Sequence, residues 1–214
     1  MNQFSYKSFY RRRLPHIQPE GATFFVTFRL AGSLPADVVE RLCYEREQSE
    51  QLLAQIEDPA ERGRQADLHS RRWFGKWDEF LDKASSGPTH LANPRIADML
   101  AESIHYRDGK VYDLEAFCIM PNHGHLVFKP FESADGKFHS LSAIMHSLKR
   151  YTARQANLIL EQEGAFWQHE NYDHFVRDDA ELGRIINYVL YNPVKAGLTD
   201  DWPNWKWSFS KYDM

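Results

Sequence analysis

The sequence has few cysteines and no long apolar run. Cys43 and Cys118 are the two cysteines among 214 residues, and they form no Cys-x-x-Cys pair. This spacing argues against a disulfide framework or a thiolate metal site and favours reduced thiols. No apolar stretch approaches the roughly 20 residues that cross a bilayer, and the N-terminus lacks a signal-peptide core. We therefore predict a globular cytoplasmic protein without a membrane segment.

The sequence also lacks the excess of positive charge that is typical of nucleic-acid-binding proteins. Its net charge is −4, but the acidic residues are concentrated between positions 37 and 67. Residues 1–30 contain a single acid, Glu20, and residues 140–157 contain none. Local basic surfaces matter more for phosphate binding than the total charge does. Each basic segment is consistent with phosphate contacts or with an ordinary solvated surface.

A His-x-His pair lies within an otherwise apolar segment, residues 117–128. Because side chains alternate along a strand, His123 and His125 should project from the same face. Neutral imidazole is a common ligand of divalent metals. The spacing is therefore consistent with a metal site, and equally with a strand that carries two hydrogen-bonded histidines.

The order of strand and helix patterns predicts an α+β fold. Pro121-Asn122 is a tight turn between two strand patterns, so these strands should pair antiparallel. Asn192-Pro193 should stop the last helix. We predict strands at 21–30, 111–120 and 123–129, and helices at about 35–57, 66–84, 94–105, 140–161 and 180–191. We predict one domain over 1–214, with a basic N-terminal arm at 1–20, a helical insertion at about 58–92 and a Trp-rich tail at 199–214.

The last predicted helix adds two side chains that could complete a site. Tyr188 and Asn192 are four residues apart, so a helix places them on one face. The amide oxygen could serve as a third metal ligand beside the imidazoles, and the phenol could act as a nucleophile. A packing aromatic and a plain helix stop are the alternative interpretations of these two residues.

Five motifs occur in an order that resembles the REP-associated tyrosine transposases. These are bacterial relatives of the single-tyrosine insertion-sequence transposases within the HUH endonuclease superfamily. The resemblance covers residues 10–30 and about 93–209. The motifs are Met120-Pro-Asn-His-Gly-His-Leu-Val127, Leu148-Lys-Arg-Tyr-Thr-Ala-Arg154, Phe166-Trp-Gln168, Tyr172-Asp-His-Phe-Val-Arg177 and Tyr188-x-x-x-Asn-Pro-Val-Lys-Ala-Gly197.

This resemblance implies a fold, a reaction and a site. The fold would be a ferredoxin-like antiparallel sheet of four or five strands, with the histidine pair on its central strand. His123, His125 and Asn192 would bind Mg²⁺ or Mn²⁺, and Tyr188 would be the nucleophile. The protein would cleave single-stranded DNA beside REP-type hairpins, leaving a 5′-phosphotyrosine and a free 3′-OH that can rejoin strands. A monomer is expected, and a homodimer is the alternative.

The resemblance also implies contacts to the DNA backbone, which position a substrate without specifying its sequence. Tyr151 is a rival nucleophile, but its position in the predicted apolar side of a helix favours packing. Trp167 could stack on a base or lie in the core, and His174 could support the site or be an ordinary hydrogen-bonded histidine. The candidate phosphate contacts are Arg11, Arg12, Arg13, Lys149, Arg150 and Arg154.

Gly124 departs from the pattern of the resembled family, which has a bulky hydrophobic residue between the histidines. Glycine weakens a strand, so we expect a lost core contact and lower stability but retained metal ligation. Gly124 and the acidic insertion make a non-catalytic binder of structured DNA the leading alternative. A mononuclear zinc hydrolase ranks last, because no acid lies at a suitable spacing from the histidine pair.

Overall fold

The computed structural model describes residues 19–82 and 87–212, and these form two compact units. Of the described residues, those within Gly32–Pro88 form one unit, and those up to Ala31 and from Thr89 onward form the other. The prediction of a single domain with an insertion at about 58–92 stays a prediction. No helix in the described ranges is long and apolar enough to cross a membrane.

The larger unit is built on a five-stranded antiparallel sheet with the strand order β4-β1-β3-β2-β5. A β-α-β-β-α-β chain order with the first four strands arranged 4-1-3-2 is the ferredoxin-like arrangement, so the predicted fold is confirmed. The histidine strand, β3, is central. The strands are β1 (Phe24–Arg29), β2 (Tyr112–Ile119), β3 (His123–Pro130), β4 (Tyr172–Phe175) and β5 (Ser208–Ser210); the helices are α1 (Ala36–Ala54), α2 (Pro59–Asp82), α3 (Pro94–Arg107), α4 (Leu141–Leu160) and α5 (Asp179–Lys195).

The two faces of the sheet have different partners. Alternate residues of β1 and β3, such as Val26 and Leu126, are buried in one hydrophobic cluster with residues of α3 and α4. The intervening residues, which include Thr27 and His125, project from the opposite face, where Tyr188 of α5 packs against the ring of His125. Alternation along β3 therefore places Leu126 and Phe128 in the main core and the two histidines beneath α5.

Helix α5 extends past the residue that was expected to stop it. Pro193 lies inside the helix, which ends at Lys195. The prediction that Asn192-Pro193 ends it is wrong, because proline in the last turn removes only one backbone donor. The end is set by Gly197, at φ +69°: its N–H donates to Val194 O, and Leu198 N–H donates to Pro193 O. These two bonds form a Schellman motif. Asn192 thus remains helical, on the same face as Tyr188.

Gly124 lies directly opposite Phe28 in the pairing of β1 with β3. A Cβ atom built on Gly124 would lie 2.8 Å from Phe28 Cζ. The phenyl ring is buried and packs edge-on against Trp167, with 5.0 Å between ring centroids. The expected loss of a core contact at Gly124 is therefore wrong, since the Phe28 ring occupies the space that a larger residue would fill.

Replacing Gly124 with valine should destabilise the protein by about 1–3 kcal/mol, because the added methyl groups overpack the buried Phe28 ring. Urea unfolding monitored by circular dichroism measures this change. In the double variant Gly124→Val/Phe28→Ala the ring is removed, so its destabilisation should be smaller than the sum of the two single effects. Additive destabilisation would contradict this explanation of Gly124.

The smaller unit is a pair of helices, α1 and α2, with a tryptophan between them. Trp73 Nε1 donates to Leu42 O at 3.1 Å, and the Arg46 guanidinium lies 5.0 Å from the centre of the Trp73 ring. Lys76 Nζ and Glu45 Oε2 form an ion pair at 2.6 Å. At Trp73, therefore, the predicted aromatic stripe packs α2 against α1.

Candidate metal and nucleophile site

The two histidines of β3 form a buried pair. Both side chains are fully buried, with relative exposures of 0%, and their rings meet edge to face with centroids 4.7 Å apart. The Nε2 atom of His123 lies 3.0 Å from the Nε2 atom of His125. Both Nε2 nitrogens therefore point at the same place, as the spacing in the sequence predicts.

A separate hydrogen bond orients each ring through its other nitrogen. His123 Nδ1 lies 2.6 Å from Asn122 Oδ1, and His125 Nδ1 lies 2.8 Å from Thr27 Oγ1. The second contact follows from the sheet register, in which Thr27 is the direct partner of His125. Bonds of this kind fix the orientation of histidines that bind metals.

Both imidazoles are held in the neutral form. Burial lowers the pKa of His123 to about 3, and the positive charge of Lys195 acts in the same direction. Burial also lowers the pKa of His125 well below its usual range, with smaller contributions from His123 and Lys195. Neutral imidazole is the form that binds metal, so protons do not compete for this pair at neutral pH.

Helix α5 lies over the histidine pair. The Tyr188 ring packs edge-on against His125, with 5.6 Å between centroids, and against Phe25, with 6.1 Å. Phe25 also stacks on His125 at 5.7 Å. Lys195, seven residues after Tyr188, influences the pKa of both histidines. Asn192 lies between Tyr188 and Lys195 on this face of the helix.

Asn192 supplies an observation that favours a metal. Its Nδ2 donates to the hydroxyl oxygen of Tyr188 at 3.4 Å, whereas its Oδ1 is buried and accepts no hydrogen bond from the described residues. A buried acceptor without a partner costs about 1–3 kcal/mol, which a bound cation would offset. Imidazole nitrogens suit transition-metal ions, and an amide oxygen suits Mn²⁺ or Mg²⁺. The residues therefore fit a divalent cation.

The low pKa values predict that the metal-free protein loses stability in acid. Below pH 6.5 the unfolded chain binds protons that the folded imidazoles do not bind, so the free energy of unfolding falls as the pH falls. For His123, whose folded pKa is about 3, the loss between pH 6.5 and 5 should be about 2 kcal/mol. Urea unfolding in EDTA measures it. His123→Gln should show a correspondingly shallower dependence on pH, and equal slopes would contradict the assignment.

The predicted phosphate contacts have different environments. Lys149 Nζ donates to Gln168 O at 2.5 Å, to His169 O at 3.0 Å and to Asn171 Oδ1 at 2.8 Å, which ties α4 to the segment before β4. Burial and the charge of Arg29 lower the pKa of Lys149 to about 8. Arg150 and Arg154 are exposed on α4. The predicted contacts Arg11, Arg12 and Arg13 lie outside the described residues.

The three secondary candidates are also placed by the structure. Tyr151 is 50% exposed, so the prediction that it packs in the apolar side of α4 is wrong; Thr152 is buried instead. Trp167 is buried and donates through Nε1 to Thr152 Oγ1 at 2.9 Å. His174 Nε2 bonds to Glu181 Oε1 at 3.2 Å, in a cluster that includes Arg177. His174 thus has its own hydrogen-bond partner, and its role in supporting the site stays a prediction.

Sequence reasoning missed three residues that surround the histidine pair: Phe25, Thr27 and Asn122. Thr27 and Phe25 belong to a predicted strand, but which strand pairs with β3, and in what register, is not encoded in local spacing. Asn122 is predicted only as part of the turn, although it is adjacent to His123 in the sequence. Alternation along β1 could have identified Phe25 and Thr27 as residues of one face.

A comparison with known protein families identifies the class of protein that this chain resembles. Residues 90–192, which contain the histidine pair, Tyr188 and Asn192, match the family model described as IS200-like transposases.

Two individual proteins are similar to this chain, one in sequence and one in fold. The chain is 29% identical over 100 residues to a candidate REP-associated tyrosine transposase of Haemophilus influenzae; the alignment covers 43% of this chain and 57% of that relative. It thus spans little more than half the length of the curated relative. A solved structure of a REP-associated tyrosine transposase bound to a REP hairpin superposes with a TM-score of 0.50 at 16% identity, covering 94% of this chain and 82% of that one. The structural likeness shows a shared fold, and the resemblance to REP-associated tyrosine transposases that the motifs indicate is confirmed.

Proposed function

We propose that this protein is a metal-dependent single-strand DNA endonuclease and strand transferase that acts at REP-type hairpins. The observation that carries the proposal is the packing of Tyr188 against His125, beside Asn192, whose buried Oδ1 has no hydrogen-bond donor among the described residues. These contacts support a candidate nucleophile and three candidate metal ligands drawn from β3 and α5. The matches to transposases support the same activity.

The reaction uses Tyr188 as the nucleophile. Its phenolic oxygen attacks the phosphorus of a phosphodiester and releases the phenol proton to solvent; the bond from phosphorus to the 3′ oxygen breaks, and that oxygen takes up a proton. A free 3′-OH and a 5′-phosphotyrosine result. Attack on this intermediate by another 3′-OH, which loses its proton, restores a phosphodiester as the bond from phosphorus to the Tyr188 oxygen breaks and that oxygen regains a proton. A bound Mg²⁺ or Mn²⁺ would supply positive charge at the attacked phosphate. Asn192 Nδ2 orients the Tyr188 oxygen by donating to it.

The substrate is proposed to be hairpin DNA with a single-stranded flank, handled in the bacterial cytoplasm. Exposed Arg150 and Arg154 on α4 are suited to contact phosphates of this substrate. Lys149 is a less accessible candidate, because its ammonium already donates to three acceptors of the chain. A monomer is the proposed form.

The proposal is tested with the full chain, a REP-type hairpin carrying a labelled single-stranded flank, and either Mg²⁺, Mn²⁺ or EDTA. A covalent protein–DNA adduct that resists denaturing electrophoresis is expected with metal and not with EDTA. Hairpin binding without an adduct under any of the metals would instead establish the alternative, a non-catalytic binder of structured DNA. The same hairpin without its flank is the control, since it offers no cleavage site.

A further inference from the structure

The two histidines of the pair have chemically different partners at Nδ1. Asn122 offers its Oδ1, which can only accept a hydrogen bond, so His123 must carry its hydrogen on Nδ1. Thr27 offers a hydroxyl, which can either donate or accept. His123 is therefore locked in one tautomer, whereas His125 can adopt either tautomer without losing its hydrogen bond.

In the metal-free protein the contacts of His125 with Thr27 and His123 favour one of its two tautomers. At pH 8, above the ordinary imidazole pKa of about 6.5, both rings are neutral. The Nε2 of His123 then carries a lone pair, and it faces the Nε2 of His125 at 3.0 Å. The favourable arrangement has the hydrogen of His125 on Nε2, donated to His123. The Nδ1 of His125 then accepts a hydrogen bond from the Thr27 hydroxyl.

A cation bound by both Nε2 atoms requires the opposite arrangement at His125. Its Nε2 must present a lone pair, so its hydrogen must reside on Nδ1. One proton leaves Nε2 for solvent and one is taken up at Nδ1, so the ring stays neutral and no net proton is released. The Thr27 hydroxyl must rotate and accept from Nδ1. His123 needs no change.

We propose that Thr27 is a positioning residue which lets His125 exchange tautomers when a divalent cation binds, while Asn122 keeps His123 permanently in the ligating tautomer. This inference rests on the metal site of the proposed function. Thr27 acts through His125 and touches neither the cation nor the DNA. Its position is guaranteed by the sheet, since Thr27 and His125 are direct partners between β1 and β3.

Thr27→Val removes the hydroxyl and leaves the packing almost unchanged, because valine has nearly the same shape as threonine. In the metal-bound state it leaves a buried N–H of His125 without an acceptor, which is costly. Mn²⁺ affinity, measured by calorimetry on the full chain, should fall about 10–100-fold, as for other groups that orient metal ligands. Thr27→Ser retains a hydroxyl and should bind within a few-fold of wild type. Thermal unfolding of each variant in EDTA checks that the fold is intact.

The tautomers themselves are read from the ¹⁵N shifts of the imidazole nitrogens at pH 8, assigned with His123→Gln and His125→Gln variants. In EDTA, hydrogen is expected on Nδ1 of His123 and on Nε2 of His125. With Zn²⁺ as a diamagnetic probe, the hydrogen of His125 should move to Nδ1 and that of His123 should stay. Hydrogen on Nδ1 of His125 in EDTA would overturn the proposal.

An error in the metal site and an error in the role of Thr27 would give different results. If wild type binds no Mn²⁺ or Zn²⁺ at the histidine pair, the metal site is wrong and the role of Thr27 fails with it. If wild type binds and Thr27→Val binds equally tightly, the metal site stands and the role of Thr27 alone is refuted. Weak binding by both Thr27→Val and Thr27→Ser, with intact folds, would also refute it, because the hydroxyl would then not be the relevant group.

Discussion

Tyr188→Phe is expected to abolish the covalent protein–DNA adduct, reducing its rate of formation by about 10⁴-fold or more, as removal of a nucleophile does in other enzymes. The substitution deletes only the hydroxyl. The ring remains to pack against His125 and Phe25, so hairpin affinity should be nearly unchanged, whereas stability should fall by about 1 kcal/mol because the buried Asn192 Nδ2 loses its acceptor. Adduct formation is measured with a labelled hairpin and Mg²⁺, and binding by a gel-shift titration in EDTA.

Tyr151→Phe is the matched control, since Tyr151 lies half exposed on α4. It should form the adduct at the rate of wild type. An adduct that persists in Tyr188→Phe but disappears in Tyr151→Phe would transfer the nucleophile to Tyr151.

Asn192→Leu is expected to lower both the Mn²⁺ affinity and the rate of adduct formation by about 100-fold, at the upper end of what altered support of a metal site costs. The variant removes a buried oxygen that no described residue bonds. In EDTA its free energy of unfolding should therefore equal or exceed that of wild type, since an unsatisfied buried acceptor is destabilising. Calorimetry with Mn²⁺ and urea unfolding in EDTA measure the two effects.

Asn192→Asp tests whether the side chain at position 192 binds the cation or only contributes to the packing of α5. The carboxylate keeps an oxygen at the site and adds a negative charge, so Mn²⁺ should bind at least as tightly as in wild type. If Asn192→Leu binds Mn²⁺ like wild type, or is markedly less stable in EDTA, Asn192 serves the packing of α5 and is not a ligand.

Much of this site could be predicted because it depends on short-range periodicity. A two-residue spacing on a strand placed His123 and His125 on one face, and a four-residue spacing on a helix did the same for Tyr188 and Asn192. Both spacings stay correct even when the predicted end of the helix or strand is wrong by a few residues. The helix boundary at Pro193 was wrong, yet the spacing was right, because the helix extended beyond the proline.

The parts that could not be predicted depend on which strands and helices meet. Thr27 is about 100 residues from His125 in sequence, and only the register of β1 with β3 brings them together. The pairing of Gly124 with Phe28 arises from the same register, and it reverses the expectation for that glycine. The prediction for Tyr151 is wrong because an amphipathic pattern locates the apolar side of a helix only approximately. A rotation of about one residue around the axis of α4 places Tyr151 on the exposed side.

Mapping the adduct by mass spectrometry shows directly whether Tyr188 is the nucleophile. After nuclease digestion of the trapped complex, trypsin should release residues 185–195, which contain both Tyr188 and Tyr191. Fragmentation of this peptide is predicted to locate the nucleotide on Tyr188, in samples made with Mg²⁺ and not in samples made with EDTA. A nucleotide on Tyr191 or Tyr151, or hairpin binding without any modified peptide, would contradict the account.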